Sequence, residues 1–532
     1  MKANLFFKIT SILLFVLIAS TDELTAQTGV VDSSFGKNGL VLTKILKSRD
    51  DISQAIALTP NGKIIVAGNS FNIVGYSDVG IVRYKSSGTI DKTFGTNGVL
   101  NVKNAFCNKI AIQADGKIVM AGDVAVGSQL AFKVWRFTAN GAIDSSFGTN
   151  GTVTVLPPNG YAICYSVALQ PDGKIVVGGY DGSFYASLFV FRLTRNGFLD
   201  PTFNGTGYNA VTQSRRSLEC HKLLIQPDGK IVAAGSLDTI LLTAFYRYYY
   251  LSVRFNANGT LDTLFGNKGV VRESANANDG AYGAGLLPDG RIVLSGYSKT
   301  GNINKQSALC LDANGKVDVN FGNNGYQYID YFGSGSFGES VAIQDNGKIL
   351  LAGNVNNGSY NAIGLARLNS NGTADITFGN NGRDTFFSVS SSKSLGVNEM
   401  ILQPDGKILT TGYLQLNKDI FFTTRYLNTQ QIKTVTANSN IIASNVFKAS
   451  MYPNPVMSGQ VTLQFNMAYA GKIMIGIYDI NGKQMLQPIN KTEPAGAITE
   501  NIFIPSSVQN GTYLVTILAN NEKKLLKFQL MR

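Results

Sequence analysis

The chain has 532 residues, which at about 150 residues per domain predicts three or four structural units. Charged residues make up 15% and hydrophobic residues 44%, which excludes the highly charged class of disordered chain. Four cysteines are too few for a disulfide-dense scaffold, and one histidine limits multi-histidine metal sites. The net charge of +12 is spread without a block of five like charges, so no nucleic-acid partner is expected.

The N-terminus has the order of features found in a secretory signal. Two lysines lie within Met1–Lys8, an apolar stretch follows over Ile9–Ala19, and small residues precede Gln27. This order predicts a signal peptide over residues 1–26, whose core is too short for a confident membrane span. A retained membrane anchor is the alternative. No later stretch reaches about 18 uninterrupted apolar residues, so no transmembrane span is expected after signal cleavage.

Two linked motifs then recur seven times. An Asn/Asp-Gly-Lys/Arg turn repeats at intervals of 54 to 61 residues, at Gly62, Gly116, Gly173, Gly229, Gly290, Gly347 and Gly406. A Phe-Gly phrase has the same spacing, at Phe35, Phe94, Phe147, Phe203, Phe265, Phe321 and Phe378, with Asn204 replacing the glycine in one copy. Periods of this length are typical of arrays, solenoids and propellers.

Each repeat contains four short apolar runs bounded by turn residues. In the second repeat they are Gly98–Lys103 (a), Asn108–Gln113 (b), Lys117–Gly122 (c) and Ala131–Phe137 (d). Four strands repeated seven times predict an all-β fold, a seven-bladed β-propeller over residues 27–427. Strand b carries small residues that suit the crowded axis, so each blade would run b, c, d, a outward. The unmatched first strand, Gly39–Ile45, would then complete the seventh blade.

This register places the irregular a–b and c–d loops on one face, which we predict to be the binding face because loops carry variable contacts. Aromatic and basic residues there are candidates for ligand binding: Tyr161, Tyr180, Tyr185, Tyr246, Tyr282, Tyr297, Arg215 and Arg216. Amphipathic rings are common anchors for sugars and proteins. The alternative is that these rings only pack beneath the loops.

Charged residues recur at fixed places in the repeat. Strand d carries an arginine in six copies and a cysteine, Cys310, in the fifth. Each following turn has an aspartate, and a guanidinium fork matches a carboxylate. We therefore predict structural ion pairs formed by Arg83, Arg136, Arg192, Arg254, Arg367, Arg425, Asp91, Asp144, Asp200, Asp262, Asp318 and Asp375. Calcium binding is the alternative, but the dense run of acidic ligands that it favours is lacking, so no metal is expected.

The repeat resembles the delta-60 repeat family. The matching phrases are clearest in Leu199–Phe203 and Gln226–Gly235, and the resemblance covers residues from about 29 to 426. It implies a propeller-like fold and no particular activity.

A second domain is predicted after a polar linker over residues 428–446. Short strands over residues 447–532, among them Lys472–Asp479, Gln484–Pro488 and Thr512–Ala519, predict a small immunoglobulin-like β-sandwich. The segment resembles the type IX secretion C-terminal sorting domain of Bacteroidetes, through Tyr452–Pro455, Tyr478–Lys483 and Gly511–Val515. That resemblance implies the type IX secretion machinery as a partner and a secreted or outer cell-surface location. An adhesive module is the alternative.

Catalytic motifs are lacking in the linear sequence. There is no phosphate-binding loop and no nucleophile elbow, so no catalytic residue and no cofactor is predicted. We therefore expect a secreted or surface-attached binding or scaffold module, for an extracellular glycan or protein. The alternative is an extracellular polysaccharide-acting enzyme with carboxylates at the propeller axis.

Overall fold

The computed structural model describes residues 29–428, except 47–48, 72–76, 183–184, 241–245, 277, 332, 334, 357–358 and 387–393. It also describes residues 449–532, except 455, 468–470, 480–483, 495 and 520–521. The predicted signal peptide and most of the predicted linker lie outside the described residues. The chain divides into two compact units, Met1–Lys433 and Thr434–Arg532. Among the described residues, no helix is long and apolar enough to span a membrane.

Seven four-stranded antiparallel sheets, the blades, make up the first unit. The N-terminal strand β1 (Leu40–Thr43) belongs to blade seven. Blade one contains β2 (Asp50–Leu58), β3 (Ile64–Phe71), β4 (Ser77–Tyr84) and β5 (Val99–Val102). Blade two contains β6 (Lys109–Ile112), β7 (Ile118–Val126), β8 (Gln129–Phe137) and β9 (Thr152–Val155). Blade three contains β10 (Ala162–Leu169), β11 (Ile175–Asp181), β12 (Ser187–Leu193) and β13 (Tyr208–Val211).

The other four blades repeat this order. Blade four contains β14 (Arg216–Ile225), β15 (Ile231–Ile240), β16 (Tyr246–Phe255) and β17 (Val270–Glu273). Blade five contains β18 (Asp279–Leu286), β19 (Ile292–Thr300), β20 (Ile303–Leu311) and β21 (Tyr326–Ile329). Blade six contains β22 (Ser336–Ile343), β23 (Ile349–Asn356), β24 (Asn361–Leu368) and β25 (Arg383–Phe386). Blade seven contains β26 (Leu395–Leu402), β27 (Ile408–Leu414) and β28 (Ile420–Tyr426), with β1 as its fourth strand.

The ring is closed as the sequence predicts. Leu40–Thr43 pairs with Ile420–Tyr426 at the outer side of blade seven, so the N-terminal strand completes the last blade. The innermost strands β2, β6, β10, β14, β18, β22 and β26 contact one another in order, and β26 also contacts β2. The inner strands keep one unpaired edge each, but these edges are short and face the axis, where the neighbouring blades protect them.

The core lies between neighbouring blades. The third strand of each blade is an apolar run; in Ser187–Leu193 every residue is buried, because both sheet faces are covered. Ile81 of blade one shares a buried cluster with Met120 of blade two, and similar clusters join the other neighbours. This packing fixes the inner strands around the axis.

The second unit is a two-sheet β-sandwich. One sheet contains β29 (Ala449–Tyr452), β30 (Gln460–Met467) and β33 (Gly496–Phe503). The other contains β31 (Gly471–Asp479), β32 (Ile489–Glu493), β34 (Gly511–Ala519) and β35 (Glu522–Leu530). Buried residues of both sheets, such as Val461 and Val515, form its core. The strand predicted over Gln484–Pro488 is wrong: Gln484 makes only an isolated bridge to Tyr478, and the strand starts at Ile489.

Candidate functional site

Six of the seven inner strands carry a β-bulge at the same place. The pairing with the second strand of the blade skips one residue there, so that residue has no partner in the ladder. In blade two, Asn108 precedes the strand and holds the equivalent position. We call these residues the bulge ring: Gln54, Asn108, Tyr165, His221, Tyr282, Glu339 and Asn398. A bulge re-aims side chains, and bulges are common beside functional sites.

A glycine of the second strand makes room for each bulge. A Cβ atom on Gly122 would lie 1.8 Å from the carbonyl oxygen of Phe106, and one on Gly179 would lie 1.9 Å from that of Ile163. The equivalent glycines of the other five blades face the same close approach, at 1.8 to 2.1 Å. Only glycine fits such a contact with a neighbouring backbone. The repeated glycine is therefore the sequence feature that holds the bulge ring in place.

Aromatic side chains from blades three to six form a continuous arc at the bulge ring. His221 lies between two neighbours, with ring centroids 4.5 Å from Tyr165 and 5.1 Å from Tyr282. Tyr165 contacts Tyr180 at 5.8 Å, and Tyr282 contacts Tyr297 at 6.0 Å. Phe337 extends the series, 5.3 Å from Tyr297. We call this set the axial aromatic arc: Tyr180, Tyr165, His221, Tyr282, Tyr297 and Phe337.

Polar contacts fix the orientation of His221. Its Nε2 atom lies 3.0 Å from Glu219 Oε2 and 3.1 Å from Ser236 Oγ. Burial raises the pKa of Tyr282 to about 12, and the carboxylates of Glu339 and Glu219 add to that effect. The tyrosine hydroxyls of the arc are therefore neutral near pH 7 and can donate hydrogen bonds.

Three charged side chains from three blades meet one residue after the bulge ring along the inner strands. Lys109 of blade two lies 2.8 Å from Glu399 Oε1 of blade seven, and Lys222 of blade four lies 3.7 Å from the same oxygen. The other oxygen of Glu399 accepts a hydrogen bond from the Ile56 backbone N–H at 2.9 Å. Burial lowers the pKa of Lys222, and the charge of Glu399 opposes that effect. We call this cluster of Lys109, Lys222 and Glu399 the axial bridge. It connects blades two, four and seven, none of which is next to another in the ring.

Two further carboxyl groups near the axis have perturbed pKa values. Burial raises the pKa of Glu339 to about 7, although Asn354 donates a hydrogen bond to it at 3.0 Å. Burial also raises the pKa of Asp123 to about 7, opposed by hydrogen bonds from the Cys164 backbone N–H and from Asn108. Asp123 links blades two and three through those bonds. Among the described residues, Asn354 is the one hydrogen-bond donor to the Glu339 carboxylate, which is therefore the less constrained acid.

Part of the predicted ligand-binding set meets in this site. Tyr180, Tyr282 and Tyr297 belong to the axial aromatic arc. Tyr161 and Tyr185 are 39% and 45% exposed on the loops of blade three. The remaining three, Arg215, Arg216 and Tyr246, belong to blade four, and the structure does not bring the two arginines into the arc.

Those three residues differ in surroundings. Arg215 is exposed with a φ of 57°, and Arg216 donates a hydrogen bond to Gln213 Oε1 at 2.7 Å. Tyr246 pairs with Ile240 at the start of its strand, and its side chain lies outside the described part of the chain.

The repeated arginines contact the repeated aspartates at the opposite side of the blades. In six blades the arginine Nε lies 2.6 to 2.8 Å from the carboxylate, in the pairs Arg83–Asp91, Arg136–Asp144, Arg192–Asp200, Arg254–Asp262, Arg367–Asp375 and Arg425–Asp32. In all six a second guanidinium nitrogen donates to a backbone carbonyl of the next blade, as from Arg192 to Ala257. These contacts join neighbouring blades.

Asp318 departs from this scheme because strand d of its blade has Cys310 instead of arginine. Its partner is Arg291, at 2.9 Å, which replaces the lysine of the Asn/Asp-Gly-Lys turn. The guanidinium is thus supplied by the turn between the first and second strands of the same blade.

Sequence reasoning missed Tyr165, Lys109, Lys222, Glu339 and Glu399. A signal for the bulge ring was present: a large or polar residue follows the small residue of strand b in each repeat, as in Cys164-Tyr165 and Cys220-His221. The four cysteines are all buried and free. Among the described residues, no three His, Cys, Asp or Glu side chains cluster as a metal site.

Comparison with known families matches both units. The model described as a DUF5122 β-propeller domain of unknown function matches residues 59–94, 113–147, 170–203, 287–321 and 344–378. These five segments of the first unit match the repeat of that family. Residues 450–530 match the secretion-system C-terminal sorting domain. The chain therefore has a type IX sorting domain and is secreted or located at the outer cell surface.

Comparison with solved structures gives distant likenesses. A PL25 ulvan lyase bound to a saccharide has a TM-score of 0.43 and 11% identity, covering 72% of this chain and 95% of that chain. The polysaccharide lyase Uly1 has a TM-score of 0.41 and 11% identity, covering 70% and 89%. Sqt1 from Chaetomium thermophilum has a TM-score of 0.39 and 11% identity, covering 71% and 97%. These likenesses assign no ligand or activity to this chain. A search of curated proteins found no match.

Proposed function

We propose that this protein is a secreted recognition module whose propeller binds a glycan at the axial aromatic arc. The observation that carries the proposal is the unbroken series of rings from Tyr180 to Phe337, in which Tyr165, His221 and Tyr282 are bulge residues. Sugar rings pack their apolar faces on aromatic side chains, and neighbouring polar groups bind the hydroxyls. In this arrangement residues 1–26 are a signal peptide, and residues 428–446 link the propeller to the sorting domain.

Polar groups suited to sugar hydroxyls surround the arc. The carboxylate of Glu219 and the hydroxyl of Ser236 flank His221 at 3.0 and 3.1 Å. Asn354 and Glu339 lie beyond Tyr282 on the next blade, joined by a hydrogen bond of 3.0 Å. Donors and acceptors at the edge of an apolar platform give orientation, whereas the rings give contact area. This combination favours a glycan over a purely apolar ligand.

A glycan array probed with the purified full-length protein tests this proposal. We expect binding to at least one glycan class, and we expect Tyr282→Ala to weaken that binding by about tenfold or more, since stacked rings contribute about 1 kcal/mol or more each beyond buried area. The matched control is Phe198→Ala, which removes a 61% exposed ring from the other loop set and introduces the residue that blade two has at Ala142. Equal loss in both variants, or no binding by the wild type, contradicts the proposal.

A second candidate function is polysaccharide cleavage at the same mouth. Glu339 favours it, because a carboxyl group with a pKa of about 7 suits proton transfer near neutral pH. Mass spectrometry of the glycans after incubation separates the two functions. Intact glycan supports recognition, whereas shortened glycan whose release is abolished by Glu339→Gln supports the enzyme.

A further inference from the structure

A groove of about 870 Å³ runs beside the outer strand of blade four, away from the axial aromatic arc. Its lining includes four basic residues, Arg216, Lys268, Arg272 and Lys316. Glu273 is the one carboxylate among its described lining residues, and burial raises the pKa of that group. The groove therefore has a marked excess of positive charge.

Lys268 is a departure from the repeat at a position with a positive φ. Its φ is 52°, and five other blades have asparagine there with φ between 52° and 54°: Asn38, Asn97, Asn150, Asn324 and Asn381. Asparagine tolerates this left-handed conformation better than lysine does. The scaffold therefore favours asparagine, and lysine at this one place has no structural advantage.

Arg272 and Lys316 are departures as well. Arg272 is the third residue of the outer strand, where the other blades have Leu42, Asn101, Thr154, Ala210, Tyr328 and Thr385. Lys316 follows a turn glycine, where other blades have Thr89, Ala142, Phe198, Thr260 and Thr373. Three separate repeat positions thus become basic only here, and all three line the same groove.

These cations differ from the repeated ones in their pairing. The turn lysine Lys230 lies 3.0 Å from Asp262, and its counterparts are paired likewise. The described part of the chain provides no ion-pair partner for Lys268, Arg272 or Lys316. The guanidinium of Arg272 instead lies over the Tyr249 ring, 3.8 Å from its centroid, which holds it in one orientation. These three cations are therefore available to pair with an anionic ligand.

We propose that this groove binds an acidic polysaccharide, whose carboxylate or sulfate groups pair with Lys268, Arg272 and Lys316. A polymer fits better than a single ion because the basic residues are spread along the groove. A polysaccharide is favoured over a nucleic acid because the protein is secreted or located at the outer cell surface. The proposal is independent of the axial aromatic arc.

The test is binding of fluorescent polygalacturonate and dextran sulfate to the full-length protein at low and moderate salt, with neutral dextran as the uncharged probe. The variant Lys268→Asn/Arg272→Thr/Lys316→Thr gives each position a residue that another blade uses, so folding is preserved. The charge-matched control is Lys37→Thr/Lys85→Thr/Lys92→Ser, which removes three exposed lysines from the first repeat and also introduces residues found in other blades.

We expect at least one acidic polymer to bind, with affinity falling as salt rises, and the groove variant to weaken that binding about tenfold or more. The control should change it by about threefold or less. Equal loss in both variants, equal binding of neutral dextran, or no binding of either acidic polymer overturns the proposal. Tighter binding of a DNA duplex of matched charge would identify a nucleic acid as the partner and likewise overturn it.

Discussion

Arg192 offers the sharpest test of what holds the blades together. Its Nε lies 2.7 Å from Asp200 Oδ2, another nitrogen donates to the Ala257 carbonyl at 2.5 Å, and its guanidinium lies over the Phe203 ring at 4.8 Å. Arg192→Cys removes all of these contacts and leaves Asp200 buried. Removing one partner of a buried pair costs about 3–5 kcal/mol. Because Lys174 still lies 3.1 Å from Asp200, we expect about 3 kcal/mol.

That cost converts to a measurable melting shift. Unfolding entropy is about 2.1 cal/mol/K per residue, so a unit of roughly 400 residues loses about 4 °C of Tm for 3 kcal/mol. Blade five already pairs its aspartate with a turn arginine, Arg291, and has Cys310 in strand d. Copying that arrangement with Lys174→Arg in the Arg192→Cys background should therefore recover at least half of the loss.

Differential scanning calorimetry measures both effects, with Arg195→Cys, an exposed neighbour, as the control. The reasoning is refuted if Arg192→Cys shifts Tm by less than about 1 °C, or if adding Lys174→Arg recovers nothing. Either result would mean that the buried ion pair contributes little to the stability of the ring.

Three other outcomes follow from the structure. Burial alone would raise the pKa of Asp200, but hydrogen bonds from Thr202 and Lys174 and the charge of Arg192 lower it from 3.8 to about 2. Because the folded protein holds this carboxylate ionised more strongly than the unfolded chain does, the group stabilises the fold above pH 4. The free energy of unfolding measured in urea should lose that contribution as the pH falls toward 2. Glu399→Gln leaves two lysines at the axis without a carboxylate and should cost about 3 kcal/mol in urea unfolding; no loss would show that the axial bridge is dispensable. A thiol reagent should label none of the four buried cysteines in the native protein and all four after denaturation, and native labelling would contradict their burial.

The fold was predictable because its information is local and repeated. The seven Asn/Asp-Gly-Lys/Arg turns set the blade count, and the unmatched first strand, Gly39–Ile45, indicated the closure that Leu40–Thr43 confirms. Cys310 departs from the repeat, and Arg291 takes the place of the missing arginine as the partner of Asp318. The sequence did not predict this pair, because a linear motif does not show which side chains come within reach of one carboxylate.

The site was only partly predictable for a related reason. Tyr180, Tyr282 and Tyr297 were selected as residues of the irregular loops, but that placement is wrong, because they lie within β11, β18 and β19. Lys109, Lys222 and Glu399 belong to blades two, four and seven, and only the closed ring brings them to one point. Residues on an axis are neighbours through ring closure, which sequence spacing does not reveal.

The most direct measurement of the central claim is a crystal structure of the full-length protein with the oligosaccharide that binds it most tightly on the array. The account predicts a sugar ring packed on Tyr165 or Tyr282, with its hydroxyls within hydrogen-bond distance of Glu219, Ser236 or Glu339. An oligosaccharide bound only at the opposite face or along the outer strands, with the axial aromatic arc free, would contradict it.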